Sequence, residues 1–375
     1  MSLIEKMIKV YSPSSFEKNA VRLFLDELNK MHFTTEEDKV GNAIGKIGSG
    51  PIKIYLIGHI DTVPGKLPVK IVDGKIYGRG SVDAKGCLCA FAEAAKEFYN
   101  SKTVSITLVG CVREESDSIG AYEILKTLPI PDYTIIGEPS GWQGITLGYR
   151  GVMWLEFSYE NSRFHHGAPE PTPAEIGVGF YEKIQKKYAK EYPSFDSASI
   201  RLVDINTYHK KGNIGIRIKM DLRTPIGFDF DDFLSFCKSQ LNGASLSHDE
   251  PIHAILTDKK NPLISSFLGS IRSQNATPKF KKKTGSADMN ILGSWNCPII
   301  AYGPGDSALD HTVNEHLILD EYEKSIRVLK SALQRLGQLS TASGTPSKSL
   351  SKVTSVTHSP ATHTEPRQSE SYTQS

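Results

Sequence analysis

Paired cysteines are missing from this chain. Its five cysteines, Cys87, Cys89, Cys111, Cys237 and Cys297, form no disulfide framework, and Cys87-Leu88-Cys89 lacks the two-residue spacer of redox and zinc-knuckle motifs. A disulfide-stapled secreted fold is excluded, and a reduced, cytoplasmic setting is the expectation. An excess of one charge is missing as well: 44 basic against 42 acidic residues leave a formal charge of +2, so no global field draws nucleic acid or a membrane surface. No apolar run is long enough to span a bilayer. The first ten residues carry Glu5, Lys6 and Lys9 where a secretory leader would have its apolar core. Gly78-Arg79-Gly80 lacks the Lys-Ser/Thr end of a phosphate loop. A soluble enzyme or binding protein with a local site remains, and 375 residues at 39% hydrophobic suffice for two domains.

The apolar spacing predicts helices over 3–10 and 16–30, strands over 40–47 and 52–57, a helix over 84–99 and a strand over 104–112. Strands alternating with helices imply an α/β domain with a mainly parallel central sheet covered on both faces. After Tyr149-Arg150-Gly151 the order changes to strand (152–159), helix (173–188), strand (200–205), strand (214–222), helix (229–241) and a last strand (253–256). That is the order of a ferredoxin-like α+β sandwich, here inserted into the first domain. The expected division is 1–150 with 257–339, an insertion over 151–256, and a Ser/Thr-rich tail over 340–375, with a closing helix over 320–336. The tail has too few large apolar residues to offset the entropy of ordering, so disorder is expected there.

Chemistry gathers where strands end. Gly58-His59-Ile60-Asp61-Thr62-Val63-Pro64 follows the strand over 52–57, and Asp83 lies at the mouth of the next helix. Glu114-Glu115 follow the strand over 104–112, Glu138 follows Tyr133–Ile136, and His311 comes after the strand-like 298–302. In open α/β sheets ligands collect at such ends. Two imidazoles and three carboxylates, His59, Asp83, Glu115, Glu138 and His311, suit a pair of divalent cations without thiolate. Two cations about 3.5–4 Å apart need a bridging carboxylate, for which Asp83 is placed, and can share a water-derived nucleophile. Glu114, beside a ligand, is free to take a proton from that water. Asp61 can accept the second N–H of His59 and fix its tautomer.

Together these stretches, with Gly78-Arg79-Gly80-Ser81-Val82-Asp83-Ala84-Lys85-Gly86 and Gly137-Glu138-Pro139, closely resemble the dinuclear-zinc aminoacylase and carboxypeptidase family. Acetylornithine deacetylase and succinyl-diaminopimelate desuccinylase belong to it. The resemblance runs from about Ile4 to Leu336. It implies a zinc-peptidase-like catalytic domain interrupted by a dimerising lid, hence a homodimer. It implies two divalent ions per subunit, zinc or alternatively cobalt: His59 and Glu138 on one, Glu115 and His311 on the other, and Asp83 bridging. Glu114 would be the general base and acid, and Asp61 would orient His59. Phe164-His165-His166-Gly167-Ala168 resembles the family's lid histidine that polarises the scissile carbonyl; His165 is preferred, with His166 as the other choice. Asn213, Arg223 and the Gly285-Ser286-Ala287-Asp288 loop, Ser286 in particular, fall where the family places substrate contacts.

The stretch from Glu138 to Gly151 is most similar to the branch that hydrolyses lysine or ornithine from an amino-group carrier protein. There the amino acid is amide-linked to the γ-carboxyl of the carrier's C-terminal glutamate. The carrier is acidic, and Lys279, Lys281, Lys282 and Lys283 offer a basic rim. The same chemistry on a small N-acyl amino acid or a dipeptide is the other substrate class. A two-metal phosphoesterase would need an Arg/Lys clamp that is not evident. A metal-free binding paralogue would have lost ligands, whereas all five and Glu114 are present.

Overall fold

The computed structural model of the chain describes residues 1–162, 169–190, 192–210 and 212–342. Its largest sheet has nine strands. Eight run in the order Thr34–Glu37, Ala43–Gly48, Val104–Cys111, Ile52–His59, Tyr133–Gly137, Ile299–Ala301, Gly144–Tyr149 and Ile255–Leu256, with Lys279–Lys283 also paired to Gly144–Tyr149. The four strands at the centre, from Val104–Cys111 to Ile299–Ala301, are parallel, and the outer pairs are mainly antiparallel. Strands buried on both faces read as continuous apolar runs, which is why Ile52–His59 and Val104–Cys111 were legible. Thr34–Glu37 and Lys279–Lys283 were not read as strands, because charged side chains at a sheet margin carry no apolar alternation.

The helix Lys85–Ala95 is buried between this sheet and the closing helix Leu319–Ala342, which passes the expected end at Leu336. Close approach explains the glycine before the His-x-Asp motif: Gly58 pairs with Gly137, and a Cβ at Gly137 would lie 3.0 Å from Phe91. The three-stranded sheet of His316–Ile318, Lys75–Tyr77 and Lys70–Val72 ties the returning chain to the loop that carries Asp83. Of the expected tail, residues 340–342 are helical and residues 343–375 lie outside the described residues.

A second sheet is antiparallel throughout, in the order Ser199–Lys210, Asn213–Thr224, Gly151–Asn161, Ser245–His248. Helices Pro173–Tyr188 and Phe230–Ser239 cover one face through Phe157, Phe180, Ile216, Ile218 and Phe233. The ferredoxin-like order holds, with one correction. Its last strand is the polar, mostly exposed Ser245–His248, whereas Ile255–Leu256 pairs with Gly148 and Tyr149 of the large sheet. The more apolar segment went where burial was available. Among the described residues no helix is long and apolar enough to cross a membrane.

Candidate active site

Three adjacent parallel strands end together. Cys111 is in register with His59, and Gly137 with Gly58, so His59, the Glu114-Glu115 pair and Glu138 leave one sheet edge side by side. His59 is the last residue of its strand. Arg113 takes φ 63°, turning the chain sharply before Glu114. Asp83 enters from the loop ahead of the helix Lys85–Ala95, and His311, at φ 62°, from the loop before His316–Ile318.

Asp83 is the centre of the cluster. Its Oδ1 lies 3.1 Å from His59 Nε2, while its Oδ2 lies 2.9 Å from His311 Nε2. Glu115 Oε1 is 2.9 Å from the same His311 nitrogen, and Glu138 Oε1 is 3.9 Å from His59 Nε2. His59, Asp83 and Glu115 offer ligand atoms that all lie within 4.8 Å of one another. All five residues named from the sequence are therefore brought together, with one carboxylate facing both imidazoles.

Asp61 is fully buried and organises this edge. His59 Nδ1 lies 3.0 Å from the Asp61 carbonyl oxygen and 3.5 Å from its Oδ1. Donation from Nδ1 leaves Nε2 facing Asp83 and Glu138, the tautomer a metal ligand needs. The same carboxylate accepts the backbone N–H of Glu114 and of Glu115, each at 3.1 Å, and the Ser14 hydroxyl at 2.7 Å. One acid thus fixes the histidine and both glutamates.

Burial works against a charged His59, yet the carboxylates of Asp61, Asp83 and Glu114 hold it well above its usual range. His311 is pushed up to about 10, first by its hydrogen bonds to Asp83 and Glu115. The carboxylates thus favour positive charge between each imidazole nitrogen and Asp83, the position a divalent cation competes for. The donor set, imidazole nitrogen and carboxylate oxygen with no thiolate, fits such cations. Glu114 hydrogen-bonds through its backbone to Asp61, and loss of water raises its carboxyl well above the ordinary range; His59 opposes this, and Glu138, Asp288 and Glu115 add to it. Its place beside Glu115 suits a group that takes and returns a proton.

A cleft of about 370 Å³ opens beside Glu114 and is lined by Trp154, Arg223, Ser286 and Asp249 among others. Arg223 Nη1 donates to Ser286 Oγ at 2.9 Å and Nε to Asp221 at 2.9 Å, so two of the expected substrate contacts face one space. Asn213 is elsewhere. It begins the strand that Arg223 nearly ends, roughly 33 Å away at about 3.3 Å per residue, and its amide donates to Glu160. His165 and His166 lie outside the described residues.

The support beneath Asp83 went unread in the sequence. Glu315 Oε1 accepts the backbone N–H of Val82 at 2.9 Å and of Asp83 at 3.2 Å, while Oε2 takes the Arg79 guanidinium at 2.7 Å. Arg79 sits inside the Gly78-Arg79-Gly80 turn, and Glu315 follows His311 by one helical turn's spacing; that pairing was the available signal.

Residues 55–335 match the family model for peptidase family M20/M25/M40. The chain belongs to this family. M20 enzymes are metal-dependent hydrolases acting on amide bonds, which agrees with the cluster around Asp83. Among curated relatives, a LysW-lysine hydrolase of Deinococcus radiodurans is 35% identical, over 89% of this chain and 96% of its own. A LysW-lysine/LysW-ornithine hydrolase of Saccharolobus islandicus is 31% identical, over 90% of this chain and 96% of its own. An M20 family metallo-carboxypeptidase from Sulfolobus solfataricus shares the fold, with TM-score 0.70 at 18% identity over 89% of this chain and 98% of that one. So does a tripeptidase from Staphylococcus aureus, with TM-score 0.72 at 16% identity over 89% and 97%.

Proposed function

We propose that this M20 member releases lysine, ornithine or both from the γ-carboxyl of the C-terminal glutamate of an acidic amino-group carrier protein, in amino-acid biosynthesis. The observation that carries the reading is the similarity, over 89% and 90% of this chain, to hydrolases named for LysW-linked lysine and ornithine, joined to the cluster of His59, Asp83, Glu115, Glu138 and His311. Two divalent ions, zinc or cobalt, would be held by this cluster, with His59 and Glu138 serving one, Glu115 and His311 the other, and Asp83 shared. The division of Asp83's two oxygens between His59 and His311 supports that assignment.

When bound, such ions supply Lewis acidity and a water-derived nucleophile at neutral pH. Glu114 takes the proton of the attacking water and returns it to the leaving α-amine. Asp61 holds His59 and the backbone of Glu114 and Glu115 in place. Arg223 and Ser286 bind a substrate carboxylate in the cleft, a charge-assisted contact that sets the register of the amide. His165, or His166 beside it, supplies a further donor from the lid.

In this reading the insertion over 151–256 forms the lid, except that its last two residues, Ile255 and Leu256, already pair with the catalytic sheet. The edge strand Ser199–Lys210 supports a homodimer: Leu202, Val203 and Ile205 are exposed on it, beside backbone groups with no neighbouring strand among the described residues. The half-buried Lys281 and Lys283 and the exposed Lys279 and Lys282 form the carrier-facing rim. All five cysteines are free and buried, in keeping with the cytoplasm.

The test is amino-acid release by zinc- or cobalt-loaded protein from carrier-linked lysine, carrier-linked ornithine and acetylornithine, with Glu114→Ala as the blank. Turnover confined to carrier-linked substrates and absent from the blank is expected. Preference for acetylornithine would move the chain to the small-substrate branch. No release from any of them would turn the reading to wider N-acyl-amino-acid and dipeptide substrates, and failure to hold metal as well would leave a binding role.

A further inference from the structure

Past the end of the strand Val104–Cys111, four successive backbone N–H groups are each taken by a side-chain oxygen. Val112 donates to Asn42 Oδ1 at 3.0 Å and Arg113 to Glu17 Oε1 at 3.2 Å, while Glu114 and Glu115 donate to the two oxygens of Asp61 at 3.1 Å each. The three acceptors come from separate stretches of chain, and all are buried. The turn that carries Glu114 is therefore held by side chains from outside it, where a loop would ordinarily offer its N–H groups to water.

Glu17 acts where that turn is hardest to hold. Arg113 takes φ 63°, a left-handed backbone that is uncommon for a residue with a side chain and persists only when its surroundings fix it. On the far side of the same residue, its carbonyl accepts the N–H of Ser118 at 2.7 Å and of Ser116 at 3.2 Å. The Glu17 carboxylate is itself fixed, because Oε1 also accepts the Ser15 N–H at 2.9 Å. The residues just before it are laced to the His59–Thr62 stretch: Ser12 Oγ donates to the Ile60 carbonyl at 2.8 Å, Ser14 N–H to the Thr62 carbonyl at 3.3 Å and Ser14 Oγ to Asp61 Oδ2 at 2.7 Å. The segment from Ser12 to Glu17 thus joins two of the strand ends that make the site.

We infer that Glu17 is a positioning residue for Glu114: by accepting the Arg113 N–H it fixes the turn that aims the proton-transferring carboxyl. It works through the backbone and leaves the reacting atoms to Glu114. Asp61 also faces His59, so its loss reaches the metal cluster directly, whereas the Glu17 carboxylate meets Glu114 through the turn. A base moved by a fraction of an ångström leaves hydrogen-bond reach of its proton. The inference rests on the amide-hydrolase reading and does not depend on which amide is cut.

Glu17→Ala removes the acceptor, and Glu17→Gln keeps an oxygen at the same reach. In the alanine variant kcat should fall about 10- to 100-fold with KM within about twofold, and metal content should be unchanged. The glutamine variant should recover kcat to within about threefold of the wild type, since the hydrogen bond and not the charge is what the turn needs. Added to Glu114→Gln, Glu17→Ala should cost nothing further, because a misplaced base and a missing one are the same loss. Amide exchange over residues 112–115, followed by mass spectrometry, should quicken roughly tenfold in the alanine variant and stay near the wild-type rate in the glutamine variant. Should the alanine variant not fold, Glu17→Asp, shorter by one methylene, should show the same fall in kcat at constant KM. An unchanged kcat would overturn the assignment. So would full additivity with Glu114→Gln, or a loss of metal alongside kcat, since Glu17 would then support the fold or the metal cluster and not the base. If the wild type releases nothing from carrier-linked substrates, the substrate reading fails on its own, and the variants are compared on whichever N-acyl amino acid or dipeptide it cleaves. Unchanged amide exchange would overturn the assignment whatever the substrate.

Discussion

At the edge of the large sheet, His59, Asp61, Asp83, Glu115 and Glu138 are largely withdrawn from water, and with the half-exposed His311 they are joined by contacts of 2.9 to 3.9 Å. The hairpin of Ser199–Lys210 and Asn213–Thr224 is the opposite: beyond Ile200 its edge strand is almost wholly exposed, and its far end holds Asn213 against Glu160 by a single side-chain contact. The first region positions groups to a fraction of an ångström because each is fixed by neighbours that are themselves fixed. The second offers reach, and only its inner end, at Arg223, meets the cleft. In the proposed reading, chemistry belongs to the former and substrate selection to the latter.

That contrast predicts a graded series of losses. Glu114→Gln should lower kcat by about 10² to 10⁴-fold, as expected for a lost general acid-base group. Metal content, read by elemental analysis, should be retained, because the cluster does not use this side chain. Asp61→Asn should cost about 10 to 100-fold in metal affinity or activity, with a lower Tm, since one carboxylate now accepts from Ser14 and two backbone amides and lies 3.5 Å from His59 Nδ1. Arg223→Lys should act on KM, raising it roughly tenfold through loss of a forked charge-assisted contact, with kcat little changed. Asn213→Ala should stay within about twofold on both, as for an exposed surface site. A large effect there would break the contrast and bring the hairpin end to the site of a second subunit.

A smaller, pH-dependent difference sharpens the same boundary. Burial pushes Asp288 up to about 7, with His59 opposing and Asp61 adding to the rise. Its folded value is above the unfolded one of 3.8, so the native state binds the extra proton between those values and stability falls as pH rises through that window. In chelator-treated protein, Asp288→Asn should therefore gain Tm relative to the wild type at pH 8 and show no such gain at pH 4. Equal differences at both pH values would mean that Asp288 stays ionised when folded.

Legibility followed chemistry and burial. The strand Ile52–His59 and the helix Lys85–Ala95 were readable because apolar runs and small-residue packing leave period and composition signals. Ser245–His248 was missed and Ile255–Leu256 assigned to the wrong sheet, because a polar edge strand has no such signal and a short apolar pair does not say which core receives it. Lys279–Lys283 reads as a solvated charge run, yet it pairs along Gly144–Tyr149 with Lys281 and Lys283 half-buried.

The sequence by itself determined the ligand types, their places at strand ends and Glu114 beside Glu115, since metal chemistry restricts which side chains can serve and a strand end restricts where. Only the tertiary structure decided that Asp83 faces both histidines, that Glu315, paired with Arg79, holds its backbone, and that Arg223 reaches the cleft while Asn213 does not. Those outcomes depend on distances between residues far apart in the chain, up to the separation of Arg79 from Glu315, and local pattern carries no information about them.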